Sequence, residues 1–349
     1  MRIGYWTPVY GGFLRNVAEE GDMEASWRYV KRVSQLADRL GYDITLVPEL
    51  YLNDRKGVEA PSLEAWSLSA AIAAVTERLR IMTAVRPGFH LPTVVAKTAA
   101  TLADISGGRL SLNVVSAWWA EEARQYGGSF AAHEERYLQS TEFVRVLRGM
   151  WSEQPFSAAG RFYTVEGAVL SPKPAVPPLI FAGGESQDGR EAIAGFADAY
   201  VIHGGTPEEV RAKIADVDAR RRRLQGAGLA EVGMAGYVIV RDTEAEARAE
   251  LERITTIDPG SPGYASFEQF VANSHLDVEL SRREYSVGTR GLRPGLVGTA
   301  EQVAERIRAF ERAGVTLLLV QASPLDEELE RIAVELFPLL EREPAVAAS

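Results

Sequence analysis

The sequence predicts an α/β protein, and within that class a (β/α)8 TIM barrel with insertions. Short apolar segments with strand character alternate with amphipathic helical segments along nearly all of the 349 residues. Eight strands that each have a helical partner are typical of a barrel rather than of a doubly wound sheet. A dinucleotide-binding sheet would also carry a G-x-G-x-x-G turn after its first strand. The segment Trp6–Gly12 occupies that place and lacks the pattern.

The first half of the chain contains four predicted strands and four predicted helices. The strands are short runs of aliphatic, β-branched or aromatic residues, whereas the helices repeat apolar residues every three or four positions, as at Trp27, Val30 and Val33. The predicted strands are Arg2–Thr7, Ile44–Val47, Leu79–Val85 and Leu110–Val115, and the predicted helices are Glu24–Leu40, Leu63–Thr76, Thr93–Ile105 and Glu135–Trp151.

The second half repeats this alternation. Pro207 suits the first turn of a helix, because proline has no N–H group to leave unpaired there. The predicted strands are Leu179–Ala182, Tyr200–Ile202, Val232–Val240 and Leu317–Val320, and the predicted helices are Asp188–Phe196, Pro207–Leu224, Glu244–Ile254, Glu301–Ala313 and Asp326–Leu340.

Two segments are longer than ordinary connections, namely Val9–Asp22 and Asp258–Arg293. We expect one barrel domain over residues 1–343, with residues 258–293 as an insertion and residues 344–349 as a tail. The insertion is interpreted either as a mobile lid or as a solvated surface excursion, since long barrel loops serve both purposes.

Composition excludes several classes of function. The chain has 38 Lys and Arg against 48 Asp and Glu, a net charge of −10, which argues against nucleic-acid binding. It has no cysteine, and its four histidines are never three or four positions apart, so no metal site is predicted. We expect neither a membrane span nor a targeting segment, and therefore a cytoplasmic enzyme.

The predicted strand ends place aromatic and hydroxyl side chains at the barrel mouth, where barrel enzymes have their active sites. Trp6, Tyr10, Ser116, Trp118 and Tyr237 are examples. Neither a nucleophile–base pair nor a metal cluster is evident, so the mouth is better suited to binding a large flat ligand than to hydrolysing a bond. The alternative is that the tryptophans only pack the barrel.

The segment Gly183-Gly184-Glu185-Ser186 precedes a predicted helix. Two glycines allow a close approach of the backbone, and the free N–H groups of a helix start favour a phosphate. An ordinary tight turn would show the same sequence, so this motif alone leaves both interpretations open.

With these motifs the chain resembles the bacterial luciferase-like flavin-dependent monooxygenases, in the branch of the alkanesulfonate and dimethylsulfone monooxygenases. The resemblance extends over about residues 3–340. Its main carriers are Gly4-Tyr5-Trp6-Thr7-Pro8, Ser106-Gly107-Gly108-Arg109, Asn113-Val114-Val115-Ser116-Ala117-Trp118, His133-Glu134-Glu135-Arg136-Tyr137, Ser171-Pro172-Lys173-Pro174, Ala182-Gly183-Gly184-Glu185-Ser186 and Leu296-Val297-Gly298-Thr299.

The resemblance implies reduced FMN as cofactor, supplied by a separate NAD(P)H-dependent flavin reductase, with O2 as co-substrate. A flavin (hydro)peroxide would then oxygenate a small organosulfur compound and cleave a C–S bond. A homodimer or homotetramer is implied in the same way.

The resemblance also assigns roles to individual residues. In the cofactor-binding set, Ala84 and Val85 would support the flavin ring, and Glu185 departs from the serine that is frequent in the family. The predicted cofactor-binding residues are Ala84, Val85, Asn113, Ser116, Tyr137, Gly183, Gly184, Glu185 and Ser186, and the predicted catalytic residues are Trp6, His203, Tyr237 and Arg290.

Departures from the sulfonate enzymes bear on the substrate. Ala235-Gly236-Tyr237 stands where those enzymes have Arg-x-His, and Ser323-Pro324-Leu325 stands where they have Tyr-Pro-His. Since a sulfonate anion needs several cationic partners, we expect a neutral sulfone instead. His203 replaces a tryptophan and is either a donor or base for the substrate or a structural histidine. The alternatives are a luciferase-like enzyme for a pyrimidine, alkane or other heteroatom compound, a deazaflavin-dependent oxidoreductase, or a non-catalytic flavin-binding protein.

Overall fold

Eight parallel strands close into a barrel in a computed structural model of the chain. The structure describes residues 1–15, 19–116, 119–128, 133–258, 260–265, 267–274, 280–287 and 291–341. The strands are β1 (Arg2–Trp6), β2 (Ile44–Val47), β3 (Arg80–Val85), β4 (Leu110–Val114), β5 (Phe156–Ala159), β6 (Thr164–Ala168), β7 (Leu179–Ala182), β8 (Ala199–His203), β9 (Glu231–Tyr237), β10 (Ile239–Val240), β11 (Val297–Gly298) and β12 (Leu317–Gln321). Around the barrel the order is β1, β12, β9, β8, β7, β4, β3, β2, with β1 and β12 paired in parallel. The predicted (β/α)8 barrel is confirmed.

Helices surround the barrel. The α-helices within the described ranges are α1 (Trp27–Leu40), α2 (Ala65–Val75), α3 (Pro92–Ile105), α4 (Ala120–Tyr126), α5 (His133–Ser152), α6 (Gln187–Phe196), α7 (Pro207–Gln225), α8 (Glu244–Thr255), α9 (Phe267–Ser274), α10 (Arg282–Tyr285), α11 (Ala300–Arg312) and α12 (Leu325–Arg331). In the part of the chain that the structure covers, no helix is both long enough and apolar enough to span a bilayer.

The alternation of side chains along each strand produces two apolar layers. Leu46, Met82 and Phe181 fill the inside of the barrel. Residues of the opposite parity, such as Ile81 and Leu112, belong to the larger core that contains the apolar faces of the helices. Consequently, the inward positions nearest the C-terminal strand ends face the barrel mouth.

Several elements differ from those that the sequence predicts. The predicted strand Val232–Val240 is interrupted at Val238, because β10 leaves the barrel and pairs with β11. The predicted helix Asp326–Leu340 is α-helical only to Arg331 and continues as a π-helical and then a 3-10 turn that includes Pro338. The β5–β6 hairpin and α4 were not predicted, since their short segments lack a clear apolar period.

The two long segments contact each other above the barrel. Leu14 forms a β-bridge with Val287, and the Arg15 backbone N–H donates to the Ser286 carbonyl at 2.9 Å. The buried Arg15 guanidinium lies 3.9 Å from the centre of the Tyr285 ring. The described part of residues 258–293 is therefore packed onto the first long segment.

Candidate active site

A cavity opens at the C-terminal end of the barrel. It encloses about 240 Å³, slightly less than is usual for small-molecule sites. The inward positions at the strand ends supply its floor, which includes Trp6 of β1, Ala84 of β3, Asn113 of β4 and Gln321 of β12. The position of the cavity agrees with that of the active site in other barrels of this type.

Most of the predicted site residues meet in this cavity. The predicted residues that line it are Trp6, Ala84, Asn113, Ser116, Tyr137, Gly183, Gly184, Glu185 and His203. Val85 has the opposite strand parity to Ala84 and packs into the outer core. Tyr237 is 1% exposed and does not line the cavity. Arg290 lies outside the described residues.

The turn after β7 is packed closely against Tyr137 of α5. Ser186 is the N-cap of α6, and its hydroxyl accepts the Gly189 N–H at 3.1 Å. A Cβ atom on Gly184 would lie 3.2 Å from the Tyr137 hydroxyl, and one on Gly189 would lie only 2.6 Å from it. The packing therefore favours glycine at both positions, and Gly183, Gly184 and Glu185 of the turn line the cavity just before α6.

The carboxylate of Glu185 contacts His203 and Lys213. Its Oε1 accepts the backbone N–H of His203 at 3.2 Å, and its Oε2 lies 2.8 Å from the Lys213 ammonium of α7. The side chain of Glu185 is 4% exposed. Pairing with Lys213 compensates the buried charge, so the carboxylate does not oppose an anion at the turn.

Three buried polar atoms at the cavity floor have no hydrogen-bond partner among the described residues. They are Trp6 Nε1, Asn113 Oδ1 and Gln321 Oε1. They are one donor and two acceptors on residues that line the same cavity. Buried polar groups are normally paired, so this floor is suited to a ligand that carries its own donors and acceptors.

A charged cluster borders the cavity beyond β2 and β3. The Glu49 carboxylate accepts the Arg86 backbone N–H at 2.8 Å through Oε2, and its Oε1 lies 2.7 Å from His90 Nε2. The Arg86 guanidinium also forms an ion pair with Glu122 of α4. Glu49 and Arg86 follow the C-terminal ends of β2 and β3, whereas Glu122 of α4 and His90 join the cluster through tertiary contacts.

A second ion pair at the rim joins Asp54 to two arginines. Asp54 Oδ2 lies 2.6 Å from Arg15 Nη2, and Asp54 Oδ1 lies 3.1 Å from Arg55 Nε. Burial raises the pKa of the Asp54 carboxyl, but the charges of Arg15 and Arg55 outweigh it, and the pKa is lowered overall. Asp54 is therefore an anion at neutral pH and holds both arginines in place.

The 258–293 segment also reaches the cavity. Phe270 of α9 lines the cavity and is 5% exposed. Its ring lies 5.4 Å from that of Tyr285, centre to centre, within a small cluster that includes Tyr264 and Leu280. Phe270 covers one side of the mouth, although the sequence did not single it out.

Comparisons with known proteins identify the family of the chain. The model of the family described as luciferase-like monooxygenase matches residues 1–317. The chain is 32% identical to the FMNH(2)-dependent dimethylsulfone monooxygenase of Pseudomonas putida, covering 100% of this chain and 99% of the relative. It is 31% identical to the enzyme of the same name from Pseudomonas fluorescens (strain Pf0-1), over 100% of this chain and 97% of the relative.

A solved structure shows the same fold. The riboflavin lyase RcaE superimposes with a TM-score of 0.82 at 18% identity, covering 99% of this chain and 93% of that one. The two Pseudomonas relatives use FMNH2, the cofactor predicted for this chain. The family match and the full-length identity lead to one conclusion: the chain belongs to the luciferase-like monooxygenase family.

Proposed function

We propose that the chain is a two-component, reduced-FMN-dependent monooxygenase that acts on a small neutral organosulfur compound, with a sulfone as the favoured substrate. The substrate class is inferred mainly from the charge state of the cavity, which is lined by Arg55 and Arg86. Both are held by carboxylates of the chain itself. The relatives at 31–32% identity, which are named for dimethylsulfone, support the same class.

The turn after β7 fits the phosphate of FMN. Gly183 and Gly184 line the cavity directly before α6, and the backbone N–H groups at a helix start favour a phosphate. Arg136 and Ser116 line the same cavity and would add a cation and a hydroxyl. Glu185 is turned to Lys213, so its charge is compensated.

The cavity floor fits the flavin ring. The unpartnered atoms of Trp6, Asn113 and Gln321 match a heterocycle that has both N–H and carbonyl groups. Ala84 leaves space beside them for a flat ring. When bound, reduced FMN would supply two electrons and activate O2. The residues of the chain would orient the ring and exclude water.

A neutral substrate follows from the charges around the cavity. The described residues that line the cavity carry three carboxylates and three guanidinium groups, so their charges balance. The carboxylates belong to Glu49, Asp54 and Glu185, and the guanidinium groups belong to Arg55, Arg86 and Arg136. Arg55 and Arg86 are engaged by buried carboxylates, and Arg136 lies next to Tyr137 on the phosphate side. A sulfonate would have to compete with these internal anions for a cation, whereas a sulfone would not.

The proposed reaction balances for dimethylsulfone. Dimethylsulfone, O2 and FMNH2 give methanesulfinic acid, formaldehyde, FMN and water. One oxygen atom of O2 enters the organic product and the other leaves as water, while a C–S bond is broken.

The proposal includes a flavin reductase as transient partner, action in the cytoplasm, and a homodimer or homotetramer. Residues 258–293 are proposed to cover the cavity through Phe270.

The test is turnover with a flavin reductase, NADH, FMN and O2. We expect formaldehyde and methanesulfinate from dimethylsulfone, and at least tenfold lower kcat/KM for methanesulfonate, about 1.4 kcal/mol. If reduced FMN binds but no sulfur compound is converted, the sulfur assignment is wrong and a non-sulfur substrate takes its place. If the protein binds a reduced deazaflavin and not FMN, the cofactor proposal is wrong. Binding of FMN with no oxygen-dependent product from a broad panel would indicate a flavin-binding protein.

A further inference from the structure

The Glu49–His90 pair joins the cavity to the protein surface. Glu49 lines the cavity, and its side chain is 1% exposed. His90 follows a 3-10 turn at Pro87–Phe89, and its side chain is 20% exposed. Only 2.7 Å separates Glu49 Oε1 from His90 Nε2. A single hydrogen bond therefore connects a residue that lines the cavity with a residue that is partly exposed to solvent.

We infer that this pair carries protons between the cavity and solvent. The inference rests on the proposed function, because that reaction must exchange a proton with the medium. Methanesulfinic acid is ionised at neutral pH, so each turnover releases one proton, while the water that is formed consumes two protons within the site. A cavity that excludes water needs a titratable path for these transfers.

Glu49 shares its arginine partner with a second carboxylate. Glu49 and Glu122 are two buried carboxylates on a single guanidinium, that of Arg86. With one guanidinium for two carboxylates, this group of three has one negative charge in excess, which attracts a proton that passes along the Glu49–His90 pair. Each carboxylate oxygen keeps a second lone pair, so Glu49 can accept a proton from the cavity while it remains bonded to His90.

Other charged groups near the pair are fixed in place. Asp54 is held between Arg15 and Arg55, and Glu185 is paired with Lys213. Of the remaining neighbours, Glu64 caps α2 through its own carboxylate, and burial raises the pKa of the phenols of Tyr10 and Tyr51. Among the cavity-lining carboxylates that the structure describes, Glu49 has the contact with a partly exposed imidazole.

The rest of the cluster holds the pair in position. The Arg86 guanidinium carbon lies 4.1 Å from the centre of the Phe89 ring, just before His90. The Trp66 ring packs edge-on to the imidazole, with 6.4 Å between the ring centres. The orientation of His90 toward Glu49 is thus fixed by packing as well as by the hydrogen bond.

The test compares His90→Ala and Glu49→Gln with the parent protein. We expect kcat to fall about 10- to 100-fold in both variants, with KM for dimethylsulfone and Kd for FMN, measured by quenching of flavin fluorescence, changed less than about twofold, since both groups act on protons. The solvent deuterium isotope effect on kcat should rise. Added imidazole should restore much of the activity of His90→Ala, because the vacated position is open to solvent, and should not restore Glu49→Gln.

Glu122→Gln is the matched control. It removes the other carboxylate of Arg86 without contact to His90, so it should lower the melting temperature yet show neither an imidazole response nor a larger isotope effect. An unchanged kcat in His90→Ala, or a loss that imidazole does not relieve, would overturn the inference. An imidazole response in Glu122→Gln would do the same.

The proton path can be tested even if the substrate assignment is wrong. If the parent protein binds reduced FMN but converts no sulfur compound, the same variants are compared in the oxygen-dependent reoxidation of bound FMNH2, which yields FMN and H2O2. A slower reoxidation in His90→Ala that imidazole relieves would support the path with another substrate. Equal reoxidation in all variants would refute it.

Discussion

The carboxylate of Glu185 is paired with the ammonium of Lys213, with 2.8 Å between Oε2 and Nζ. The pair explains how an acidic residue is tolerated in the turn that is proposed to hold the flavin phosphate. Lys213 lies on α7, beyond α6 and β8 in the chain, so the compensation is a tertiary contact.

Replacement of Lys213 by methionine should leave the Glu185 carboxylate buried and unpaired. We expect the free energy of unfolding to fall by about 2–4 kcal/mol, and Kd for FMN to rise, because the free carboxylate would repel the phosphate. Thermal unfolding and fluorescence titration with FMN measure the two effects. The double variant Lys213→Met with Glu185→Ser removes both charges and should recover most of the FMN affinity. Weaker binding in Glu185→Ser alone than in Lys213→Met would instead show that Glu185 contacts the ligand.

The packing of α6 on Tyr137 predicts that an alanine substitution affects stability differently at two glycines of this helix. A Cβ atom at Gly189 would lie 2.6 Å from the Tyr137 hydroxyl and 2.9 Å from the ring carbon that bears it, whereas one at Gly195 would approach only Leu224, at 3.9 Å. Gly189→Ala should destabilise the protein by about 1–3 kcal/mol and weaken FMN binding.

Gly195→Ala is the control for the helix. It should be neutral or stabilise the fold by up to about 1 kcal/mol, with unchanged FMN affinity, since alanine favours the helix and the site is open. Unfolding curves in urea with the flavin titration distinguish the two variants. Equal FMN affinity in both would mean that the turn before α6 does not bind the phosphate.

The sequence was sufficient for the elements that carry a clear period. β2 and β7 have the predicted bounds, and α1 begins at Trp27, close to the predicted start. The β5–β6 hairpin could not be predicted in this way, because its residues are partly exposed and lack the continuous apolar run of the barrel strands. The break after Tyr237 depends on pairing with Val297, which lies far along the chain.

The site was predictable to the extent that strand parity and strand ends determine it. Trp6, Asn113 and His203 lie at the cavity because inward positions at the C-terminal ends of parallel strands converge. Local sequence did not distinguish Val85 from Ala84, although adjacent strand residues face opposite layers. Partners supplied by other elements, as His90 is to Glu49, require the three-dimensional arrangement.

The Asp54 ion pairs predict a defined dependence of stability on pH. The pKa of the Asp54 carboxyl is lowered in the folded protein, since the pull of Arg15 and Arg55 exceeds the effect of burial. Its contribution to stability is therefore complete above the unfolded value of about 3.9 and is lost as the pH falls through the folded value. Asp54→Asn should lower the free energy of unfolding at pH 7 by about 3–5 kcal/mol and should remove this part of the acid dependence.

Thermal unfolding of both proteins between pH 3 and pH 7 tests the sign. The difference in stability between the parent and Asp54→Asn should be constant near neutrality and should shrink below about pH 4. A difference that grows on acidification would contradict the role given to Asp54. Urea unfolding at pH 7 checks that the variant starts from a folded state.

Phe270 predicts how the 258–293 segment contributes to oxygen chemistry. Its ring lines the cavity at 5% exposure, whereas its neighbour Val271 on α9 is 38% exposed. Phe270→Ala should admit water and weaken retention of the reduced flavin, so H2O2 per NADH consumed should rise severalfold while product per NADH falls. Val271→Ala keeps the cavity lining and should keep the parent ratio. Quantifying H2O2 and formaldehyde from the same reactions gives both numbers. If the two variants show the same ratio as the parent, Phe270 does not exclude water, and the segment acts as a surface excursion.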